Sequence, residues 1–180
     1  MTTPWNGWYH ITVHTYGAWV RGDPRGWRTL RHRDHVEGDY KNPPALGTFE
    51  SVYAESLSTM KRQPVKIRGD LLPFVLVSIL EKLHSDQIEV AVAALDAKHL
   101  HVLAKFPDRK PRHWVGRAKK HSSHIVREQS LRAEQGGLWG RYCYAKPVED
   151  RKHQVSVFRY ILAHQHRGAA IWTVMAKENH

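Results

Sequence analysis

Cysteine is all but missing from this chain. Cys143 is the only one in 180 residues, which excludes an internal disulfide and a thiolate zinc cluster. Long apolar runs are missing too: the longest, Leu71 to Leu80, is about half of what a membrane-spanning helix needs. Met1 to Asn6 lack the basic-then-apolar order of an export signal. Together these shortages predict a cytoplasmic protein with no membrane role. Acidic residues are scarce in one half only. Residues 1–97 hold eleven Lys+Arg and eleven Asp+Glu, whereas residues 98–180 hold seventeen basic against six acidic. The whole excess of +11 therefore sits in the second half. Such asymmetry favours a polyphosphate partner, although charge alone fits a solvated basic face equally well.

What is present argues for folding. A hydrophobic fraction of 41% with seven tryptophans is not the composition of a disordered chain, and the length suits one compact domain over residues 1–180. Trp8 to Tyr16 alternates as a strand, with Tyr9, Ile11 and Val13 on one face and Trp8, His10, Thr12 and His14 on the other. Residues 17–69 are rich in Gly, Pro, Arg and Asp and read as an elaborated loop insertion with one short helix over 51–62. Asp70 is the expected N-cap of an apolar helix to His84. Ile88 to Leu95 and His99 to Phe106 read as strands of a hairpin turning at Asp96-Ala97-Lys98. A basic helix follows from Pro111 to Gln129, then a strand over 139–145. A last helix opens at Glu149-Asp150 and stops at Gly168, and 170–175 can add an edge strand. The expected fold class is α+β: a ferredoxin-like antiparallel sheet covered by helices.

The residues that can carry chemistry lie late in this order. On a strand, His99 and His101 share a face while Leu100 points into the core, and two such imidazoles can chelate one divalent ion. Fourteen histidines supply roughly one His-x-His by chance, so on spacing alone surface histidines are the simpler account. The second copy, His164-Gln165-His166, falls in a helix that sends its rings apart. Tyr160 and His164 are four apart and share a helical face. A phenol ionises near pH 10 and is a poor nucleophile unless a metal and nearby cations assist the attack. The plain alternative is a tyrosine packed beside Val157, Phe158 and Ile161.

Taken together, these features resemble the single-tyrosine HUH transposases, the insertion-sequence-200-like superfamily, and particularly REP-associated tyrosine transposases. The similarity is carried by EVAVAALDAKHLHVLAKF (89–106), with its His-hydrophobe-His element, and by FRYILAHQ (158–165), similar to the tyrosine helix. WYHITVHTYGAWVRGDPRGW (8–27) and HWVGRAKKHSS (113–123) resemble the first strand and the basic helix. The resemblance implies Tyr160 as nucleophile and His99, His101 and His164 as ligands of Mg²⁺ or Mn²⁺. It also implies cleavage and rejoining of single-stranded DNA, often beside a hairpin, through a 5′-phosphotyrosine. Assembly is left open between a monomer and a homodimer.

Expected DNA contacts are Arg112, Arg117, Lys119 and Lys120 on the basic helix, then Lys105 and Arg141, as phosphate-positioning cations. Trp19 and Trp27, with Arg21 and Arg25 nearby, are candidates for base stacking and for gripping a hairpin. His10, Thr12 and His14 are candidates to orient the ligand imidazoles, and His153, two turns before Tyr160, is another. Two rival readings share these features. One is a domesticated, non-catalytic nucleic-acid-binding regulator of the same fold; the other is a metal-dependent phosphodiesterase of small nucleotides.

Overall fold

The computed structural model describes residues 3–24, 27, 45–129 and 136–174. By packing, the chain divides into one unit of residues 1–16 with 65–180 and a second of 17–64. The first unit holds a five-stranded sheet in the order β4-β1-β3-β2-β5. Its strands are β1 (Trp8–Thr15), β2 (Glu89–Leu95), β3 (His99–Lys105), β4 (Trp139–Pro147) and β5 (Ala170–Thr173). Every strand pairing is antiparallel. The first four strands keep the ferredoxin-like order, and β5 adds an edge beside β2.

The second unit contains α1 (Glu50–Ser58), shorter than the helix expected over 51–62. Gly22 is required there by its left-handed φ of 82° and by the Tyr53 backbone, which lies 2.4 Å from where a Cβ would stand. Trp27 packs edge-on against Phe49.

Three helices complete the first unit: α2 (Leu72–Ser85), α3 (Pro111–Glu128) and α4 (Arg151–Leu162). Asp70 does not cap α2. A 3₁₀ turn over Gly69–Leu71 precedes the helix, Leu71 holds the cap position without a side-chain bond, and the Asp70 carboxylate pairs with Arg68. An adjacent guanidinium outcompetes a cap for a carboxylate two residues away. Asp150, by contrast, does cap α4, accepting the main-chain N–H of His153 at 2.7 Å. No described helix is long and apolar enough to cross a membrane.

Strand alternation divides the core in two. Tyr9, Ile11, Val13, Leu100, Val102 and Ala104 pack with Val75, Ile79 and Leu83 of α2 and with Val115, Ala118 and Val126 of α3. Trp8, Val92, Ala94 and Leu103 pack on the opposite face with Val148 and with Val157 and Ile161 of α4. Five strands spaced about 4.8 Å apart span about 20 Å, and a helix with its side chains covers about 10 Å. Two helices can therefore tile one face, while among the described residues one helix, over β2 and β3, leaves the β1–β4 side of the other face without a helix.

Candidate active site

The open face carries the polar alternation of β1. Register places Thr12 opposite His101 and His14 opposite His99, so all four side chains project to the α4 side of the sheet. α4 brings Tyr160 over them, and a 3₁₀ extension, Ala163–Arg167, carries His164. Gly168 ends that turn with φ 78°, and the Ala169 N–H returns to the His164 carbonyl. The four residues expected to form the centre, Tyr160, His99, His101 and His164, thus share one side of the sheet. His101 and His164 have ring centroids 4.6 Å apart, Tyr160 and His164 4.9 Å, and Tyr160 and His101 5.6 Å. His10 joins this group, 5.8 Å from the Tyr160 ring. His99 stands one residue pair away, its ring 4.9 Å from that of His14.

Hydrogen bonds fix which nitrogens are available. The His164 Nδ1 lies 3.0 Å from the Tyr160 carbonyl, which can only accept, so Nδ1 bears a proton and Nε2 is the nitrogen turned to the site. His99 Nδ1 faces the Asp96 carboxylate at 3.3 Å and likewise donates, leaving Nε2 available. His101 Nδ1 meets His10 Nε2 at 3.2 Å and Thr12 Oγ1 at 3.3 Å. Burial pushes His101 down to about 3, and any charge acquired by the neighbouring His164, His10 or His99 lowers it further. Burial, then Lys146, His153 and His164, lowers His10 to about 4. Both rings are neutral at physiological pH, and the bond between them engages the lone pair of one, so His101 presents Nε2 as a donor to a metal when its Nδ1 carries the proton. At such values they are weak proton acceptors.

The chemistry of this donor set, three imidazoles with rings oriented by hydrogen bonds, fits a divalent ion. Convergence is a separate matter: among the described residues no three His, Cys, Asp or Glu side chains surround one point closely enough to hold a metal.

Sequence reasoning treated Asp96 as a turn residue. Its carboxylate accepts both the Lys98 and the His99 main-chain N–H at 2.7 Å and holds the His99 ring. Burial opposes its ionisation, but these bonds outweigh it and hold the carboxyl well below the usual range. The Asp-x-x-His spacing across the hairpin was the available signal. Also missed was a groove of about 770 Å³ at the His99 end of the site, lined by Lys66, Arg68, Lys98 and Arg167. These cations come from three separate stretches of sequence, so no local pattern announces them.

The expected DNA-contacting cations divide differently. α3 packs on the face opposite Tyr160, and a groove of about 900 Å³ between α3 and the start of β4 is lined by Arg117, Lys119, Lys120 and Arg141. Arg112 and Lys120 are exposed. Arg117 pairs with Asp86 at 2.9 Å. Lys119 points its ammonium at the carbonyls of Gly140 (2.7 Å) and Arg141 (3.2 Å), and burial lowers its pKa. Lys105 lies on the Tyr160 side, 3.6 Å from Glu89. Trp19, Arg21 and Trp27 belong to the second unit; Trp27 is buried with the Arg21 guanidinium 5.3 Å from its ring centre, while Trp19 is exposed. Arg25 lies outside the described residues. His153 Nδ1 accepts the Glu149 N–H.

This architecture is shared with a solved protein described as a REP-associated tyrosine transposase bound to a REP hairpin. The TM-score is 0.52 at 10% identity, over 93% of this chain and 72% of that one. Residues 50–164 match the family described as transposase IS200 like, and the chain belongs to that family. No curated protein matches it.

Proposed function

We propose that this transposase-family protein cleaves and rejoins single-stranded DNA with Tyr160 as the nucleophile. The observation carrying this reading is the half-exposed Tyr160 ring set within 6 Å of His10, His101 and His164 on the one sheet face that its helices leave open. A tyrosine serving only as packing would be buried beside Val157 and Ile161; this one is 50% exposed. The Tyr160 oxygen attacks the scissile phosphorus, the P–O3′ bond breaks, and a 5′-phosphotyrosine and a free 3′-OH result. The phosphodiester energy stays in the new bond, so rejoining to another 3′-OH needs no ATP. The phenolic proton passes to solvent rather than to the weakly basic His10 or His101, and the departing 3′ oxygen takes up a proton from solvent.

Mg²⁺ or Mn²⁺, held by His99, His101 and His164, would supply Lewis-acid charge at a non-bridging phosphate oxygen, a contribution of about several kcal/mol. Asp96 fixes the His99 ring for that role, and Thr12 and His10 fix His101. Lys66, Arg68, Lys98 and Arg167 take phosphates at the His99 end. Arg112, Lys120 and Arg141 on the α3 side take the flanking hairpin.

The lack of three convergent donors favours a second reading, a binding protein of the same fold that no longer cuts. One experiment separates the two. Full-length protein is incubated with single-stranded DNA bearing a hairpin and Mn²⁺, then denatured and resolved on a gel. A covalent protein–DNA band that vanishes in Tyr160→Phe is the expected result; binding with no such band on any substrate leaves the regulator.

A further inference from the structure

β4 crosses the open face at its edge, and its alternation divides unusually. Cys143 and Ala145 pack against the core with α3, while Tyr144 projects to the Tyr160 side at 61% exposure, and Tyr142, two residues before it where the β1–β4 register shifts, is 62% exposed. Register sets Tyr144 directly opposite Thr12, whose hydroxyl meets His101, and sets Lys146 opposite His10, whose ring meets Tyr160. These two tyrosines are therefore one strand removed from the catalytic group. β4 carries Arg141 and Lys146 and no acidic residue, and the Arg141 guanidinium lies 5.4 Å from the Tyr142 ring centre. An exposed aromatic pair whose only charged neighbours on its own strand are cations is complementary to a polyanion with flat bases.

The spacing selects the form of that polyanion. Residues two apart on a strand are separated by about 6.6 Å. Stacked bases in a duplex strand repeat at about 3.4 Å, and their faces are hidden from a protein. Only a strand whose bases are splayed can lay successive faces on both rings. We propose that Tyr142 and Tyr144 form a stacking platform for two bases of the single strand beside the scissile phosphate, with Lys146 holding the phosphate that enters the Tyr160 site. This rests on the preceding reading for which phosphate is cut, but not for whether the platform binds.

The test uses full-length Tyr160→Phe protein, which keeps its DNA intact, and two labelled probes of equal charge: single-stranded dT12 and an abasic strand of the same length. Affinities are read by anisotropy at one fixed salt concentration. Tyr142→Ala and Tyr144→Ala each weaken dT12 binding about 5- to 150-fold, from the stacking contribution per base, and leave the abasic probe unmoved. Tyr144→Trp restores dT12 binding. The platform is overturned if dT12 affinity stays at the parent value, or if both probes weaken equally. It is also overturned if sedimentation shows that either variant changes the oligomeric state, since β4 would then be a contact between copies of this chain. Failure of the Tyr160 chemistry reads out separately: the unmutated protein then forms no covalent adduct, while the dT12-to-abasic difference still reports on the platform.

Discussion

The two faces of the sheet are made by the same strands and meet different demands. On β1, Ile11 and Val13 are fully buried against α2 and α3, while His10, Thr12 and His14 between them face the sparsely covered side. The closed face is apolar and tiled by two helices. The open face has one described helix, which seals β2 and β3 with Val157 and Ile161 and leaves His10, His14 and His99 partly exposed around the buried His101. Stability is concentrated in one layer and the proposed chemistry belongs to the other, so substitutions a single residue apart on β1 should have opposite signatures.

The largest effect is expected on the open face. His101→Ala or His99→Ala should abolish the covalent DNA adduct, as should chelation of divalent metal by EDTA, while salt-sensitive DNA binding survives. Either variant forming adduct at the parental rate would move the metal off this strand. His164→Gln should retain partial activity because an amide oxygen can replace an imidazole at a hard ion. Full activity in His164→Leu would remove that residue from the set.

The closed face gives the converse. Ile11→Ala deletes a fully buried side chain and should cost about 2–5 kcal/mol in urea unfolding, with adduct formation per folded molecule unchanged. A variant of normal stability but lost adduct would refute the division of labour between the layers.

A smaller effect links the open face to stability through pH. Burial holds His10 near 4 and His101 near 3 in the fold, whereas unfolded imidazoles protonate near 6.5. Between these values the unfolded chain binds more protons, so stability is complete above pH 6.5 and declines as pH falls toward 4 and 3. The urea midpoint of metal-free protein should drop from pH 7.5 to pH 5, and His10→Gln should show a shallower drop. Equal pH slopes in the two proteins would show that His10 is not buried neutral.

Much of this division was legible in the sequence. The period-two alternation of residues 8–16 named both faces of β1, and the His99-Leu100-His101 spacing put two rings on the polar one. Asp150 and Gly168 bracketed the last helix because capping is local chemistry. What was not legible is non-local. The basic stretch of α3 announces its charge but not its layer, which is decided by Val115, Ala118 and Val126 packing beneath the face opposite Tyr160. Lys119, written in sequence as one more cation, is spent on β4 carbonyls because strand pairing brings them over it. Asp70 was misjudged for the same reason at shorter range: nothing in a capping rule foresees Arg68.

The smallest predicted effect concerns the outer surface of α3, on the closed face. Arg112 and Lys120 are exposed on the side away from Tyr160, so they can hold a phosphate but not the one proposed to meet Tyr160. Replacing either by Ala should lower the slope of log affinity against log salt by about one, weaken DNA of any sequence alike, and leave the rate of adduct formation at saturating DNA unchanged. Lys119→Ala should act differently, because its ammonium serves main-chain carbonyls: the expected change is in thermal stability, with the salt slope conserved. If Lys119→Ala lowers the slope as Lys120→Ala does, its contacts with β4 yield to DNA, and the α3 groove binds more deeply than its free-state hydrogen bonds imply. A fall in the saturated rate for Lys120→Ala would instead mean that the closed face takes part in the chemistry.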